Sequence, residues 1–65
     1  MADKNIGRTL KTLRLAKGKT QRQLAEKAGL HRITLLQIEL GRSKPDFDTL
    51  ERLAKALGTP MSRLV

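Results

Sequence analysis

Between Thr20 and Leu40 the chain reads Thr-Gln-Arg-Gln-Leu-Ala-Glu-Lys-Ala-Gly-Leu-His-Arg-Ile-Thr-Leu-Leu-Gln-Ile-Glu-Leu, and the placing of small residues in it admits few folds. Thr20 is a good helix N-cap, and Gln23 sits three residues on, as a capping box requires. Leu24, Ala25 and Ala28 form an apolar stripe on a helix of about two turns. Gly29 stands where such a helix ends in a left-handed residue, a conformation that glycine takes at no steric cost. A second periodic segment begins at once, with Leu30, Leu35 and Ile38 pointing one way. Two helices joined by a turn of three or four residues cross steeply. Ala25 lies where the second helix would press on the first, so a larger side chain there would push the two apart.

The alanine, the glycine four residues later and the flanking aliphatics resemble the DNA-binding helix-turn-helix position by position. The alternative at this point is a helical hairpin with a purely structural role. Charge bears on the choice. The net charge is +8 on 65 residues, with a pI near 11.0, which favours a polyanionic partner. Residues 1–44 hold eleven Lys/Arg against three Asp/Glu, and residues 45–65 hold three of each. The excess therefore lies wholly with the first three helices and the loop after them. A basic surface kept only for solubility is the competing account. A membrane-surface role would need a basic amphipathic helix with bulky aromatics, and Phe47 is the only aromatic residue.

A chain of this length makes one small domain, residues 1–65, that buries only about 60% of its unfolded surface. With no cysteine and a single histidine, neither a disulfide nor a zinc site is expected, and no cofactor. The core must be built from leucine and alanine. No apolar run approaches the roughly 20 residues of a membrane span, and no signal-peptide pattern opens the chain; a cytoplasmic protein is expected. The length is also compatible with a domain cut from a longer regulator.

A first helix is expected over residues 3–17, capped by Asp3 or Asn5, with Ile6, Leu10 and Leu13 inward and Gly18 ending it. Lys4, Arg8 and Lys11 lie along another side, as a solvated face or as a phosphate-facing row. After Leu40, Gly41 stops the third helix and Pro45 delays the next. Between them Arg42, Ser43 and Lys44 put two cations and a hydroxyl close together, which suits a phosphate backbone. Asp46 can cap a fourth helix with Phe47, Leu50, Leu53, Ala54 and Leu57 inward, ended by Gly58. Thr59 is expected to cap a last short turn with Pro60 at its first position, where Met61, Leu64 and Val65 close the core. No β pattern, low-complexity stretch or internal repeat is present.

This order is similar to the Cro/cI-repressor type of helix-turn-helix domain, also called the XRE family, over about residues 4–65. The resemblance is carried by Ile6-Gly7, Leu10-Lys11, Leu13-Arg14, Lys17-Gly18, Thr20-Gln21, Leu24-Ala25, Ala28-Gly29-Leu30, Thr34-Leu35, Ile38-Glu39, Gly41-Arg42, Pro45, Thr49-Leu50 and Leu53-Ala54-Lys55-Ala56-Leu57-Gly58. It implies an all-α, lambda-repressor-like bundle of five short helices. It also implies a non-enzymatic, repressor-like regulator that binds double-stranded DNA, as a homodimer on a palindromic operator, in a bacterial or phage setting at the nucleoid. The family spans phage repressors, restriction-system controllers, antitoxins and other regulators.

The resemblance makes Gln21–Ala28 the second helix and Arg32–Leu40 the recognition helix, whose N-terminal part enters the major groove. With Leu35 and Ile38 inward, Arg32, Ile33, Leu36, Gln37 and Leu40 face out. Arg32 then matches a guanine edge, Gln37 an adenine edge or a phosphate, and Ile33 and Leu36 thymine methyls. Gln21, Arg22, Thr34, Arg42, Ser43 and Lys44 fall to phosphate contact, Gln21 at a helix N-terminus that favours anions. Arg14 and Glu39 match a structural ion pair; no second acid, histidine or metal site stands by Glu39 to suggest catalysis. Four positions depart from the pattern. His31 replaces the usual Ser or Thr cap and reads as an exposed residue beside phosphate. Leu40 stands where a polar residue or glycine is common, and Ile33 and Leu36 make the outer face apolar. Ile33, Leu36 and Leu40 together raise an alternative, a protein-binding use of the same helix.

Overall fold

A computed structural model describes residues 6–64. Within them the chain forms α1 (Ile6–Ala16), α2 (Gln21–Ala28), α3 (Arg32–Glu39), α4 (Phe47–Leu57) and a 3-10 turn at Met61–Arg63, with no strand among the described residues. The all-α expectation holds, and the expected fifth helix is this single 3-10 turn.

The helices stop by one device. Gly18, Gly29, Gly41 and Gly58 all have positive φ. The residue after each donates its backbone N–H to a carbonyl five residues back: Lys19 to Arg14, Leu30 to Ala25, Arg42 to Gln37 and Thr59 to Ala54. These bonds satisfy carbonyls that a helix end would otherwise leave without partners. They also correct the reading of Thr59, which completes the end of α4 and does not cap the 3-10 turn. That turn has Pro60 as its N-cap, with no side-chain cap bond.

The helix starts differ. Thr20 and Gln23 form a reciprocal capping box, Gln23 N to Thr20 Oγ1 at 3.0 Å and Thr20 N to Gln23 Oε1 at 2.9 Å. Asp46 accepts from Thr49 N at 2.8 Å, and its bonds from the Thr49 side chain and backbone hold its carboxyl below the usual range. His31 has extended backbone and makes no side-chain cap bond. The α1 caps expected at Asp3 or Asn5 lie outside the described residues, and so do Lys4 and Val65.

The core is a single cluster in which Leu10, Leu24, Leu35, Ile38 and Leu53 are the largest fully buried side chains. Ala25, Ala28, Leu50, Ala54, Ala56, Leu57 and Leu64 complete it, with Ile6, Leu13, Leu30 and Met61 packed against its edge. α2 packs on α4 and α3, and α1 packs on α3. Phe47 departs from expectation: it is 69% exposed. It opens α4, and helical side chains lean toward the N-terminus, so its ring projects past the end of the core that Leu50 and Leu53 fill.

α1 lies against α3 through Gly7, which is buried in spite of having no side chain. A Cβ at this position would overlap the Ile38 carbonyl oxygen and sit 2.9 Å from that of Glu39. Glycine is needed here for close approach of two backbones, not for an unusual φ.

Candidate nucleic-acid interface

The α2–turn–α3 unit is built outward from Gly29. Its φ of 73° is left-handed, and its N–H faces the Ala25 and Glu26 carbonyls while Leu30 N donates to Ala25 O at 2.8 Å. The chain leaves α2 sharply and enters α3 at Arg32, three residues after Gly29. Leu35 and Ile38 pin α3 to the core, which dictates what its other side presents.

Arg32, Ile33 and Thr34 are exposed, Ile33 at 54%; Leu36 and Gln37 are half-buried; and Leu40, just past the end of the helix, is 55% exposed. The recognition segment expected over Arg32–Leu40 is thus helical to Glu39, with Leu40 as its C-cap. Arg42, Ser43 and Lys44 come next, all exposed. Because Arg42 N donates to Gln37 O at 3.0 Å, the loop starts from a fixed point against α3. Arg22 is exposed on the first turn of α2.

The charge pattern at the helix starts runs against local stability. The positive end of a helix favours acidic side chains by about 0.3–1 kcal/mol each. Neither α2 nor α3 has an acid in its first turn, and they carry Arg22 and Arg32 there instead. α4, in the electrically neutral part of the chain, follows the ordinary rule with Asp46 and Asp48. Cations at two neighbouring positive helix ends suit an anionic partner and cost stability without one.

Behind this face lies a polar knot. Arg14 Nε donates to Glu39 Oε2 at 2.8 Å and Arg14 Nη2 to Glu39 Oε1 at 3.0 Å, a two-pronged pair between α1 and the last residue of α3. Arg14 Nη1 donates to the Lys19 carbonyl at 2.9 Å. Gln21 Nε2 donates to Glu39 Oε1 at 3.1 Å. The Arg14 and Glu39 side chains are 8% and 3% exposed. Glu39 therefore joins α1 and the start of α2, and Arg14 ties the pair to the α1–α2 turn.

Sequence reasoning paired Arg14 with Glu39 but missed the Gln21 bond, which crosses 18 positions with no periodic signal. It also missed what Gly7 does. A glycine inside a helix costs about 1 kcal/mol relative to alanine, and that cost was the clue to close packing. Beside these elements a groove of about 340 Å³ is lined by Ile6, Gly7, Ile38, Gly41, Ser43, Lys44 and Pro45. Among the described residues that line it, Lys44 is the charged one.

Known proteins share this geometry. A helix-turn-helix family profile matches residues 10–64. The immunity repressor protein of Bacillus phage phi105 is 45% identical over 60 residues, which cover 92% of this chain and 42% of that protein. The chain thus spans less than half of the phage protein's length. Among solved structures, the restriction-modification controller protein C.AhdI from Aeromonas hydrophila superposes with a TM-score of 0.92 at 33% identity, covering 98% of this chain and 96% of that one. The clp gene regulator ClgR from C. glutamicum superposes with a TM-score of 0.90 at 28% identity, over 98% and 83%.

Proposed function

The chain belongs to the helix-turn-helix family, of the Cro/cI-repressor (XRE) type, and on that premise we propose that it is a sequence-specific, double-stranded-DNA-binding transcriptional regulator of the repressor kind. α3 enters the major groove by its N-terminal turn. Arg32 reads a guanine edge, Gln37 an adenine edge, and Ile33 and Leu36 touch thymine methyls. Arg22, Thr34, Arg42, Ser43 and Lys44, with Gln21, hold phosphates. The protein works by binding, as a homodimer on a palindrome, in the cytoplasm at the nucleoid.

One observation carries this reading: the exposed outer side of α3 is flanked by uncompensated cations at the starts of both α2 and α3. A folded scaffold gains nothing from that arrangement, whereas a polyanion satisfies it. The test is Arg32→Ala, measured on a selected duplex and on random DNA. A base reader loses roughly 1–3 kcal/mol on the selected site and less on random sequence. Equal loss on both would make Arg32 a phosphate contact.

The exposure of Ile33 and Leu40 favours a second reading, a protein-binding surface formed with Leu36. In that case Ile33→Ala and Leu36→Ala disrupt self-association in sedimentation, and Arg32→Ala matters little.

A further inference from the structure

We propose that the concavity between α1 and the 3-10 turn is a binding site for a small phosphomonoester, separate from the face that α3 presents. Such a site works whether or not the chain binds DNA.

The concavity has a volume of about 380 Å³ and is lined by Arg8, Thr9, Thr12 and Leu13 of α1 and by Arg63 of the 3-10 turn. Ligand pockets begin at about 300 Å³, so it is large enough for a small organic anion. Arg8, Thr12 and Arg63 are exposed, and Thr9 and Leu13 are half-buried. Both walls are anchored. Leu13 packs against the edge of the core, and Gly7, Leu10 and Arg14 form the buried side of the same helix. In the other wall, Arg63 N donates to Pro60 O at 3.0 Å, and the following Leu64 is buried. At about 100° per residue, Thr9 and Thr12 each stand about 150° round α1 from Gly7 and Arg14, which meet α3. None of the described residues lining the concavity comes from α2, α3 or the loop after α3.

The lining is one-sided in charge. Neither Ile6–Ala16 nor Met61–Arg63 contains an acidic residue. The exposed acids among the described residues, Glu26, Asp46, Asp48 and Glu51, belong to α2, to α4 and to its cap. Two guanidinium groups and two hydroxyls therefore line one concavity whose own elements carry no carboxylate. An arginine can meet an oxyanion with two parallel N–H bonds, and a threonine hydroxyl can donate another. A phosphomonoester has a charge of about −1.5 to −2 at pH 7 and three acceptor oxygens, which matches two cations and two hydroxyls. A phosphodiester or a carboxylate brings a single charge. Leu13 offers an apolar surface to the organic part of the ester. A ligand held by Arg8 and Arg63 ties the first described helix to the last element, and by mass action it favours the folded chain.

The test is titration of phenyl phosphate into the protein at pH 7.5 and fixed ionic strength, read by backbone amide NMR shifts. Dimethyl phosphate, benzoate and inorganic phosphate are titrated in parallel. Saturable shifts are expected at residues 8–13 and 61–64, with dimethyl phosphate and benzoate about tenfold weaker, as for loss of a hydrogen bond to a charged group. Inorganic phosphate is expected to bind more weakly than the phenyl ester, since it gains nothing from Leu13; equal affinity would overturn the assignment to an ester. Arg8→Gln with Arg63→Gln, checked for folding by circular dichroism, is expected to weaken phenyl phosphate by about tenfold or more. Equal binding by the parent and this double variant overturns the proposal. So do equal binding of dimethyl phosphate or benzoate, and shifts of the same size at Arg22, Arg32 and Arg42, which would mean a general attraction to basic surface. A parent that binds phenyl phosphate and no duplex DNA would sink the DNA-binding reading and leave this site standing; the opposite result would remove this site alone.

Discussion

Arg14 and Glu39 lie 25 positions apart and meet edge to edge, Nε to Oε2 at 2.8 Å and Nη2 to Oε1 at 3.0 Å, with both side chains nearly out of solvent. The pair sits one layer behind the outer side of α3, and its worth depends on how it is broken. Removing one partner leaves the other charge buried. Glu39→Ala is therefore expected to cost about 3–5 kcal/mol, while Arg14→Met with Glu39→Leu costs far less. Urea denaturation of the single and joint variants checks this. A single-variant loss below about 1 kcal/mol would place the pair among surface ion pairs.

Gly7→Ala pits two effects against each other. Helix propensity alone predicts stabilisation by about 1 kcal/mol. The added methyl would overlap the Ile38 carbonyl and crowd that of Glu39 at 2.9 Å. Backbone cannot rotate away as a side chain can, so α1 must lift off α3, and overpacking of this kind costs about 1–3 kcal/mol. Net destabilisation in thermal or chemical melts is expected. A more stable alanine variant would mean that α1 and α3 do not approach so closely.

Gly29→Val should cost well over about 1 kcal/mol, because a β-branched residue is strained at φ 73°. Space is not the cause: the nearest atom to an added Cβ is Arg52 Nη1 at 3.6 Å. DNA binding should fall in step with the folded fraction. A valine variant with parent stability would contradict the turn at the centre of the fold.

His31→Ser should stabilise the domain by about 0.5–1 kcal/mol, because serine at an N-cap accepts from a free amide of the first turn. His31 has the extended backbone of an N-cap but makes no cap bond. Chemical denaturation is again the measurement. An unchanged midpoint would show that solvent already satisfies those amides as well as a hydroxyl does.

Arg42→Ala and Lys44→Ala should weaken binding to all duplexes nearly equally. Each should reduce the magnitude of the log K against log salt slope by up to about 0.9, the value for one phosphate. Both residues are exposed in the loop that Arg42 N anchors to Gln37 O. Slopes equal to the parent's for both variants would remove the loop from the interface.

What could be read from the sequence alone is local. The capping box at Thr20, the Asp46 cap, the left-handed stop at Gly29 and the missing cap at His31 are all settled within about one helical turn, by bonds between near neighbours. Residue types at those spacings were enough to place α2, the turn and the helical part of α3. Periodicity likewise placed Leu24, Leu35, Ile38, Leu50 and Leu53 in the core. The Arg14–Glu39 pair became legible through family resemblance, since nothing in the positions between them encodes it.

Other features were decided only by how the helices pack. Phe47 has the correct period for the core, yet lies beyond its edge, because periodicity gives the direction of a side chain and not how far the core extends. The backbone approach at Gly7 and the Gln21–Glu39 bond depend on the angle and depth at which α1, α2 and α3 meet. Those are set by the whole core acting together. A helix's spacing fixes which of its residues share a side; which atoms of another helix they meet is a property of the assembled bundle.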